Sequence, residues 1–337
     1  MLWEYGIDAG SENLRLVKRG TPQIVRESTY TAIREGRGTP FAWGDRALMM
    51  LGRVPKGVSI VKSVNQGVVD RANLFAKWAR IILDEDEAIL KKSTILVSVN
   101  SAMHKDAVEE MEKRLLDEGI SGVGIVSSAL CCALGAGEKV MDAEAICILD
   151  VGAEHMQAAV ISGGRIVKTD YLPFGTARAD QALIEAVRIY LGCAIGPQTA
   201  RELVAKLGKA DLNDNAAVEV NAFDYKTNLP KKKKILALLV KNCLNEIVDA
   251  AAEMCEKLIM FLPEEIASDI SSRGFVITGG GARLMDFKSR IEEATELPVR
   301  MAEAPEDCLA KGLQRVLNSQ KTYARLIMGE MEESRHL

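Results

Sequence analysis

Histidines are scarce in this chain: there are three, and they lie far apart, at positions 104, 155 and 336. Three scattered histidines do not predict a metal site by themselves. The seven cysteines form no Cys-x-x-Cys pair and mostly lie in apolar runs. Cysteines of this kind are typical of reduced core residues in a cytosolic protein, so neither a disulfide framework nor a zinc site is expected.

Long hydrophobic runs and a large excess of one charge are also missing. No apolar run approaches the length that spans a bilayer, and residues 1–6 do not resemble a signal peptide. The formal net charge is −4 and 27% of the 337 residues are charged, which predicts neither a nucleic-acid partner nor a disordered tail. The composition predicts a cytoplasmic protein with room for two domains and a large core.

Two stretches of the sequence share one pattern: an apolar strand, an Asp-x-Gly turn and an apolar return strand. The turns lie at Asp8 and Gly10, and again at Asp150 and Gly152. One such hairpin is a weak signal, because turns favour Asp and Gly for local reasons. The repetition in the second half of the chain indicates a duplicated unit.

A third turn contains the consecutive glycines Gly279, Gly280 and Gly281, between a short β-like run and a helical pattern. Backbone N–H groups at such a turn, together with the helix dipole, favour a bound phosphate. Strands and helices alternate after each hairpin, which predicts parallel strands with helices packed on them. We therefore expect an α/β protein with two related domains, each with a mixed sheet flanked by helices, around a nucleotide cleft.

Hydrophobic periodicity gives approximate bounds for the elements. It predicts helices at 73–90, 105–116, 129–134, 179–190, 199–207, 234–261, 285–294 and 305–317, and strands at 94–99, 123–126 and 299–302. A strand pair bent at Gly67 is also expected, as is a β-like segment at 217–229. The lysines at 231–234 are expected to be solvated surface, with a phosphate or membrane contact as the alternative.

Along nearly its whole length, the chain resembles the bacterial actin homologue MreB, within the actin, sugar kinase and heat-shock ATPase superfamily. The order of the two hairpins and the glycine turn resembles the superfamily. The likeness to MreB lies in the segment from Ala47, ALGAG at Ala133–Gly137, LPEEIASDISSRGFVITGGGARL from Leu262 and ELPVRMAEAPEDCLAKG from Glu296. The resemblance implies an actin-like fold, with domain I at residues 1–142 and 303–330 and domain II at 143–302.

The resemblance also implies a site for ATP with Mg²⁺, with weakened or lost binding as the alternative. The implied nucleotide-binding residues are Asp8, Gly10, Ser11, Glu12, Asn13, Asp150, Gly152, Ala153, Glu154, Arg201, Val204, Gly279, Gly280, Gly281 and Ala282. Asp8 and Asp150 are the implied positions that hold Mg²⁺ through water. An ordinary turn at Asp8 and a glycine turn that only caps a helix are the structural alternatives.

Several of these positions depart from the family pattern. Glu154 stands where a glycine is usual, and its carboxylate would repel phosphates unless it turns outward or meets the metal. His155 is expected to be a surface turn residue, with a metal role beside Asp150 as the alternative. Arg201 and Val204 replace the Glu and Lys of the family's ribose contact, which would weaken that contact.

The position of the family's water-orienting glutamate is occupied by Ser127 and Ser128. A serine is no comparable general base near neutral pH, so hydrolysis by the family mechanism should fail. The catalytic residues are therefore unknown, and the protein is at most a weak ATPase.

The resemblance implies a cytoskeletal filament protein of cell shape and cell-wall synthesis. Its implied partners are further copies of itself or a standard MreB, and membrane-associated wall-synthesis proteins. One alternative is a non-polymerising pseudo-ATPase adaptor like FtsA or the pilus-assembly actin homologues; another is an active ATPase with a substitute base. Membrane association is left open: Leu2 and Trp3 are expected to begin the first strand rather than insert, and anionic lipid would repel the acidic run at 84–87.

Overall fold

The computed structural model describes residues 2–36, 38–83, 89, 91–209, 211–284 and 286–328. The acidic run at 84–87 and the last two residues of the predicted domain I, 329 and 330, lie outside the described residues. So does Met285, the predicted first residue of a helix.

The described residues form nineteen strands and eleven α-helices. The strands are β1 Tyr5–Ala9, β2 Asn13–Lys18, β3 Ile24–Ser28, β4 Tyr30–Arg34, β5 Thr39–Trp43, β6 Val58–Lys62, β7 Val64–Asn65, β8 Val68–Val69, β9 Thr94–Val99, β10 Gly122–Ser127, β11 Ile146–Val151, β12 Met156–Ser162, β13 Arg165–Leu172, β14 Cys193–Ala194, β15 Ala217–Asp224, β16 Leu229–Leu236, β17 Phe275–Thr278, β18 Val299–Met301 and β19 Ile327–Met328. The helices are α1 Gly44–Leu48, α2 Ala72–Leu83, α3 Lys105–Asp117, α4 Ser128–Gly135, α5 Ala177–Leu191, α6 Pro197–Leu207, α7 Ala237–Ile259, α8 Glu264–Arg273, α9 Phe287–Thr295, α10 Cys308–Asn318 and α11 Gln320–Tyr323.

Two large sheets repeat one arrangement. The first has the strand order β19-β10-β9-β1-β2-β3, and the second has the order β13-β12-β11-β17-β18. In each, an antiparallel hairpin (β1–β2 or β11–β12) continues into parallel strands. Strands such as β9 and β11 are nearly continuous apolar runs because helices and neighbouring elements bury both of their faces. The predicted α/β architecture with mixed sheets is confirmed, whereas the domain boundaries at 142 and 302 stay a prediction.

Helix α4 lies between the two large sheets and is buried along almost its whole length. Its neighbour is α10, and glycines let the two backbones touch. A Cβ atom at Gly135 would lie 1.7 Å from the carbonyl oxygen of Cys308, and one at Gly312 would lie 1.9 Å from that of Cys131. The chain leaves α4 for the second sheet and returns from the second sheet into α10. Both passages between the sheets therefore adjoin this glycine contact.

The cysteines behave as the sequence predicts. All seven are free, and six of them are buried, whereas Cys243 is partly exposed. The buried ones include Cys131, Cys132 and Cys308 in the core around α4 and α10. Burial raises the pKa of the Cys308 thiol to about 11, so this thiol stays protonated near neutral pH.

Two smaller sheets and a short hairpin complete the fold. The sheets have the orders β5-β4-β6 and β14-β15-β16, and the hairpin pairs β7 with β8 across the predicted bend at Gly67. Among the described residues, β16 pairs with β15 alone, and it carries the four lysines 231–234. Lys231 and Lys233 lie 3.3 and 3.6 Å from Asp224, and Lys232 lies 3.0 Å from Glu219. Successive side chains of a strand point to opposite faces, so the lysines are solvated surface on both faces of β16, partly paired with carboxylates.

Three details of the prediction are wrong. The long helix begins at Ala237 and not at Lys234, because the lysine run belongs to β16. Helix α8 was not predicted, since its polar sequence has little apolar periodicity. The first strand begins at Tyr5: Trp3 is buried in the core, and Leu2 is 57% exposed. No helix among the described residues is long and apolar enough to cross a membrane.

Candidate functional site

A cleft lies where the turns after β1, β11 and β17 meet, and its cavity volume is about 180 Å³. Parallel strands of one sheet end at the same edge, which is where open α/β sheets place their ligands. Most of the predicted site residues line this cleft: Asp8, Gly10, Ser11, Glu12, Asn13, Asp150, Gly152, Ala153, Gly279, Gly280 and Gly281. The prediction that the two hairpins and the glycine turn face one cleft is confirmed.

A second cavity of about 290 Å³ adjoins the first. The predicted residues Arg201 and Val204 line it, on the face of α6 that looks toward the cleft. The two cavities share Glu12, Ala153, Thr176 and Gly280 as lining residues. Ala282 is buried behind the glycine turn, and neither Ala282 nor Glu154 lines either cavity.

Asp8 is almost completely buried and has an arginine partner. The Nη1 of Arg15 donates to its carboxylate at 2.8 Å. Burial raises the pKa of Asp8, although Arg15 acts in the opposite direction. Arg15 was not identified from the sequence as a partner of Asp8. The register of the hairpin could have identified it, because Arg15 pairs directly opposite Asp8.

The guanidinium of Arg15 bears on whether Asp8 could hold the implied Mg²⁺. A hydrated dication at Asp8 would stand beside a cation that already neutralises this buried carboxylate, so the arrangement at Asp8 does not fit a metal ion. The described residues contain no cluster of three or more His, Cys, Asp or Glu that could hold one. Asp150 accepts a hydrogen bond from the Thr278 hydroxyl at 3.2 Å, and its proposed role toward Mg²⁺ stays a prediction.

The carboxylate of Glu154 turns away from both cavities and forms an ion pair with a residue that the sequence did not indicate, whereas its role toward a metal stays a prediction. The Nζ of Lys62 lies 2.5 Å from one of its oxygens, and the backbone N–H of Gln66 donates to the other at 3.0 Å. Lys62 also donates to Glu12 at 2.9 Å. Burial alone would lower the pKa of Lys62, but the carboxylates of Glu12 and Glu154 outweigh it and raise that pKa. Nothing in the local sequence singles out Lys62, since 91 residues separate it from Glu154.

Arg201 binds three groups around the second cavity. Its Nη1 donates to the carboxylate of Glu12, its Nη2 donates to the hydroxyl of Tyr30 at 3.2 Å, and its Nε lies 3.7 Å from Asp180. Burial raises the pKa of Asp180 to about 6, even though Arg201 acts to lower it. The position at which the resemblance implies a ribose contact is therefore occupied by a side chain that is already bound to protein groups.

Only 12% of the His155 side chain is exposed, so its assignment as a surface turn residue is wrong. Its ring stacks on Tyr171 with 5.8 Å between ring centroids, and its Nε2 lies 3.9 Å from a carboxylate oxygen of Asp150. Burial lowers the pKa of His155, against the attraction of Asp150, so its neutral form is favoured near pH 7. A Cβ atom at Gly67 would lie 2.6 Å from its Nδ1, so the Gly67 backbone closes over the ring.

Ser128 lines the cleft, whereas Ser127 ends β10 and does not. The hydroxyl of Ser128 donates to the side-chain oxygen of Gln157 at 2.9 Å. The Nε2 of Gln157 in turn donates to the hydroxyl of Ser101 at 3.0 Å. Neither serine supplies a carboxylate at this position, so these residues offer no general base for an attacking water.

The glycine turn keeps a shape that suits an anion. Gly279 has a φ of +88°, which favours glycine, and its N–H donates to the carbonyl oxygen of Pro305 at 2.8 Å. A Cβ at Gly280 would meet nothing within 4 Å, so the backbone is open to the cleft here. Gly280 lines both cavities, and a phosphate group could approach its backbone closely.

Comparison with known proteins places these features in a family. A family model described as MreB/Mbl protein matches residues 3–325. The cell shape-determining protein MreB of Escherichia coli (strain K12) is 29% identical over 328 residues, covering 92% of this chain and 91% of that protein. The cell shape-determining protein Mbl of Bacillus subtilis (strain 168) is 24% identical and covers 94% of this chain and 96% of its own.

The fold agrees with that of a solved relative. The crystal structure of MreB 5 of Spiroplasma citri bound to AMPPNP matches with a TM-score of 0.87 at 22% identity, covering 95% of this chain and 97% of the other. The protein thus has the actin-like fold that the sequence predicts. Because the family model matches almost the entire chain, this protein belongs to the MreB/Mbl family.

Proposed function

We propose that this protein is a cytoskeletal filament protein that acts in cell shape and cell-wall synthesis. The observation that carries the proposal is family membership over residues 3–325, together with relatives named as cell shape-determining proteins. We also propose a cytoplasmic location and assembly with itself or with a standard MreB, which the same membership supports. Membrane-associated wall-synthesis proteins are the proposed further partners.

The proposal includes weak or absent ATP hydrolysis. Hydrolysis would need a general base in the cleft to activate the attacking water. At that position stands Ser128, whose hydroxyl is already bound to Gln157. Glu154 brings a carboxylate to the second hairpin turn, and that carboxylate is occupied by Lys62. Transfer of a phosphoryl group relies on donors aimed at its oxygens, so both features act against turnover.

ATP remains the proposed ligand, with weakened affinity. The open backbone at Gly280 and the two adjoining cavities support this choice. The occupied side chains of Asp8, Glu12 and Arg201 oppose tight binding, because a nucleotide would have to compete with their protein partners. Isothermal calorimetry with ATP, with and without Mg²⁺, measures this affinity directly.

Sedimentation and electron microscopy test the filament. The protein should pellet above a critical concentration and form filaments, alone or mixed with a standard MreB. The control is the same mixture below the critical concentration. Only monomer at every concentration and in both mixtures would contradict the proposal, and would favour the non-polymerising adaptor.

A further inference from the structure

Two ion pairs join the first half of the chain to the second beside the cleft, and each includes a residue that departs from the family pattern. Lys62 and Glu12 precede residue 143, whereas Glu154 and Arg201 follow it. Lys62 pairs with Glu154, and Arg201 pairs with Glu12. We call these four residues the salt-bridge latch.

The latch is one continuous chain of alternating charges. Lys62 contacts both Glu154 and Glu12, and Glu12 also contacts Arg201, so two cations balance two anions. The exposed fractions of these side chains range from 11% for Lys62 to 32% for Arg201. Ion pairs that are mostly shielded from water are screened less by salt than fully exposed ones, so the latch should persist at physiological ionic strength.

Backbone contacts reinforce the latch at the same place. Glu154 accepts from the backbone N–H of Gln66 as well as from Lys62, so two donors from the first half hold one carboxylate of the second. The hydroxyl of Tyr171 donates to the carbonyl oxygen of Gln66. The turn at Gln66 is therefore bound to the second half by both of its backbone polar groups.

The latch also lies on the path that a nucleotide would take. Glu12 lines both cavities, and its pair with Arg201 stands beside the passage from one to the other. A ligand with phosphates in the first cavity and its sugar in the second would bridge the two halves from this position. We infer that the latch holds the two halves closed without a nucleotide, because its side chains supply the bridging contacts that such a ligand would make.

This inference rests on the proposed function only in treating the cleft as a nucleotide site. Closure is measured without nucleotide and on the monomer, below any critical concentration. A protein that polymerises but opens normally would contradict the inference alone, whereas a latched monomer that never polymerises would contradict the proposed function alone.

Pulsed electron paramagnetic resonance measures the opening. Spin labels are placed at the exposed positions Lys56 and Lys226, one in each half, as cysteine substitutions. Cys243 is replaced by serine, because the other native cysteines are buried and do not react readily. The test variants are Glu154→Gln and Arg201→Gln, alone and combined, and glutamine retains the side-chain size of Glu154.

The nucleotide-free parent protein should give one narrow, short distance distribution. Each single variant should raise the fraction of longer distances about fivefold, the order expected for the loss of one partly shielded ion pair. The double variant should raise it by at least that much. The control is Glu110→Gln, which removes the 2.6 Å pair with Arg114 inside α3 and away from the cleft.

The outcomes separate clearly. Longer distances in the latch variants but not in Glu110→Gln support the inference. Distance distributions in the double variant that coincide with those of the parent overturn it. Equal opening in Glu110→Gln also overturns it, because opening would then reflect general destabilisation; thermal unfolding of every variant confirms that it is folded.

Discussion

Substitution of Gly312 by alanine tests the close contact between α4 and α10. The added methyl carbon would lie 1.9 Å from the carbonyl oxygen of Cys131, whereas ordinary van der Waals contact begins at 3.4 Å. One helix would therefore have to move by roughly 1.5 Å, and backbone cannot rotate away as a side chain can. Overpacking of a core costs about 1–3 kcal/mol, and this contact belongs at the upper end.

The direction of the stability change distinguishes a clash from an ordinary Gly→Ala substitution. Within a helix, alanine is normally more stable than glycine by about 1 kcal/mol, so a Gly→Ala change without a clash should stabilise the protein. At Gly312 we expect a net loss of about 2 kcal/mol, the difference between a clash of about 3 and this gain. For 337 residues the unfolding entropy is about 0.7 kcal/mol per kelvin, so Tm should fall by about 3 °C.

Differential scanning calorimetry measures this shift. The matched control is Gly196→Ala, where the same methyl group meets nothing within 4 Å, and its stability should change by less than about 1 kcal/mol. A Tm for Gly312→Ala at or above that of the parent protein would refute the reasoning, since the two helices would then be free to separate.

The remaining predictions concern the cleft. Gly67→Ala should lower Tm by more than Gly196→Ala does. The reason is that Gly67 has a φ of +74° and the added carbon would lie 2.4 Å from the side-chain nitrogen of Asn100. An unchanged Tm would contradict this prediction. The pKa of Asp180 is about 6 in the folded state, above its ordinary 3.8, so the folded state binds this proton more tightly than the unfolded state. The contribution of Asp180 to the free energy of unfolding therefore falls as pH rises from about 4 to about 6. Chemical denaturation of Asp180→Asn across this range should show the variant gaining stability relative to the parent, and parallel curves would disprove the assignment. Phosphate release should be about 10²–10⁴-fold slower than in an ordinary MreB, and Ser128→Glu combined with Glu154→Gly should recover part of it; a parent that already matches MreB would exclude the weak-ATPase proposal.

Much of the fold could be predicted because its signals are local. Strand β9 has the predicted bounds, Thr94–Val99, since a continuous apolar run with defined ends is a strong signal of a buried strand. The turns at Asp8 and Asp150 follow from local turn chemistry. Helix α8 could not be recognised, because half of its side chains are exposed and it has few apolar positions to repeat.

The partners of the charged residues around the cleft could not be predicted, because the tertiary fold brings them together. The unfavourable charge of Glu154 was visible in the sequence, but the cation that neutralises it lies on a different sheet. The shielding of the His155 ring from solvent likewise depends on the turn at Gly67, which approaches from the other half of the chain. Of these pairs, only that of Asp8 with Arg15 could have been predicted, because both residues belong to one hairpin and its register places them opposite each other.

The lysines of β16 bear on how copies of this protein can associate. An open strand edge exposes unpaired N–H and C=O groups, and it would accept any extended strand that came alongside. If β16 paired with the same strand of a second copy, the two strands would lie about 4.8 Å apart, and the lysines 231–234 of both copies would bring like charges together on each face of one sheet. Such pairing is electrostatically unfavourable, so we expect the proposed filaments to form through other faces and this edge to stay free of uncontrolled strand addition.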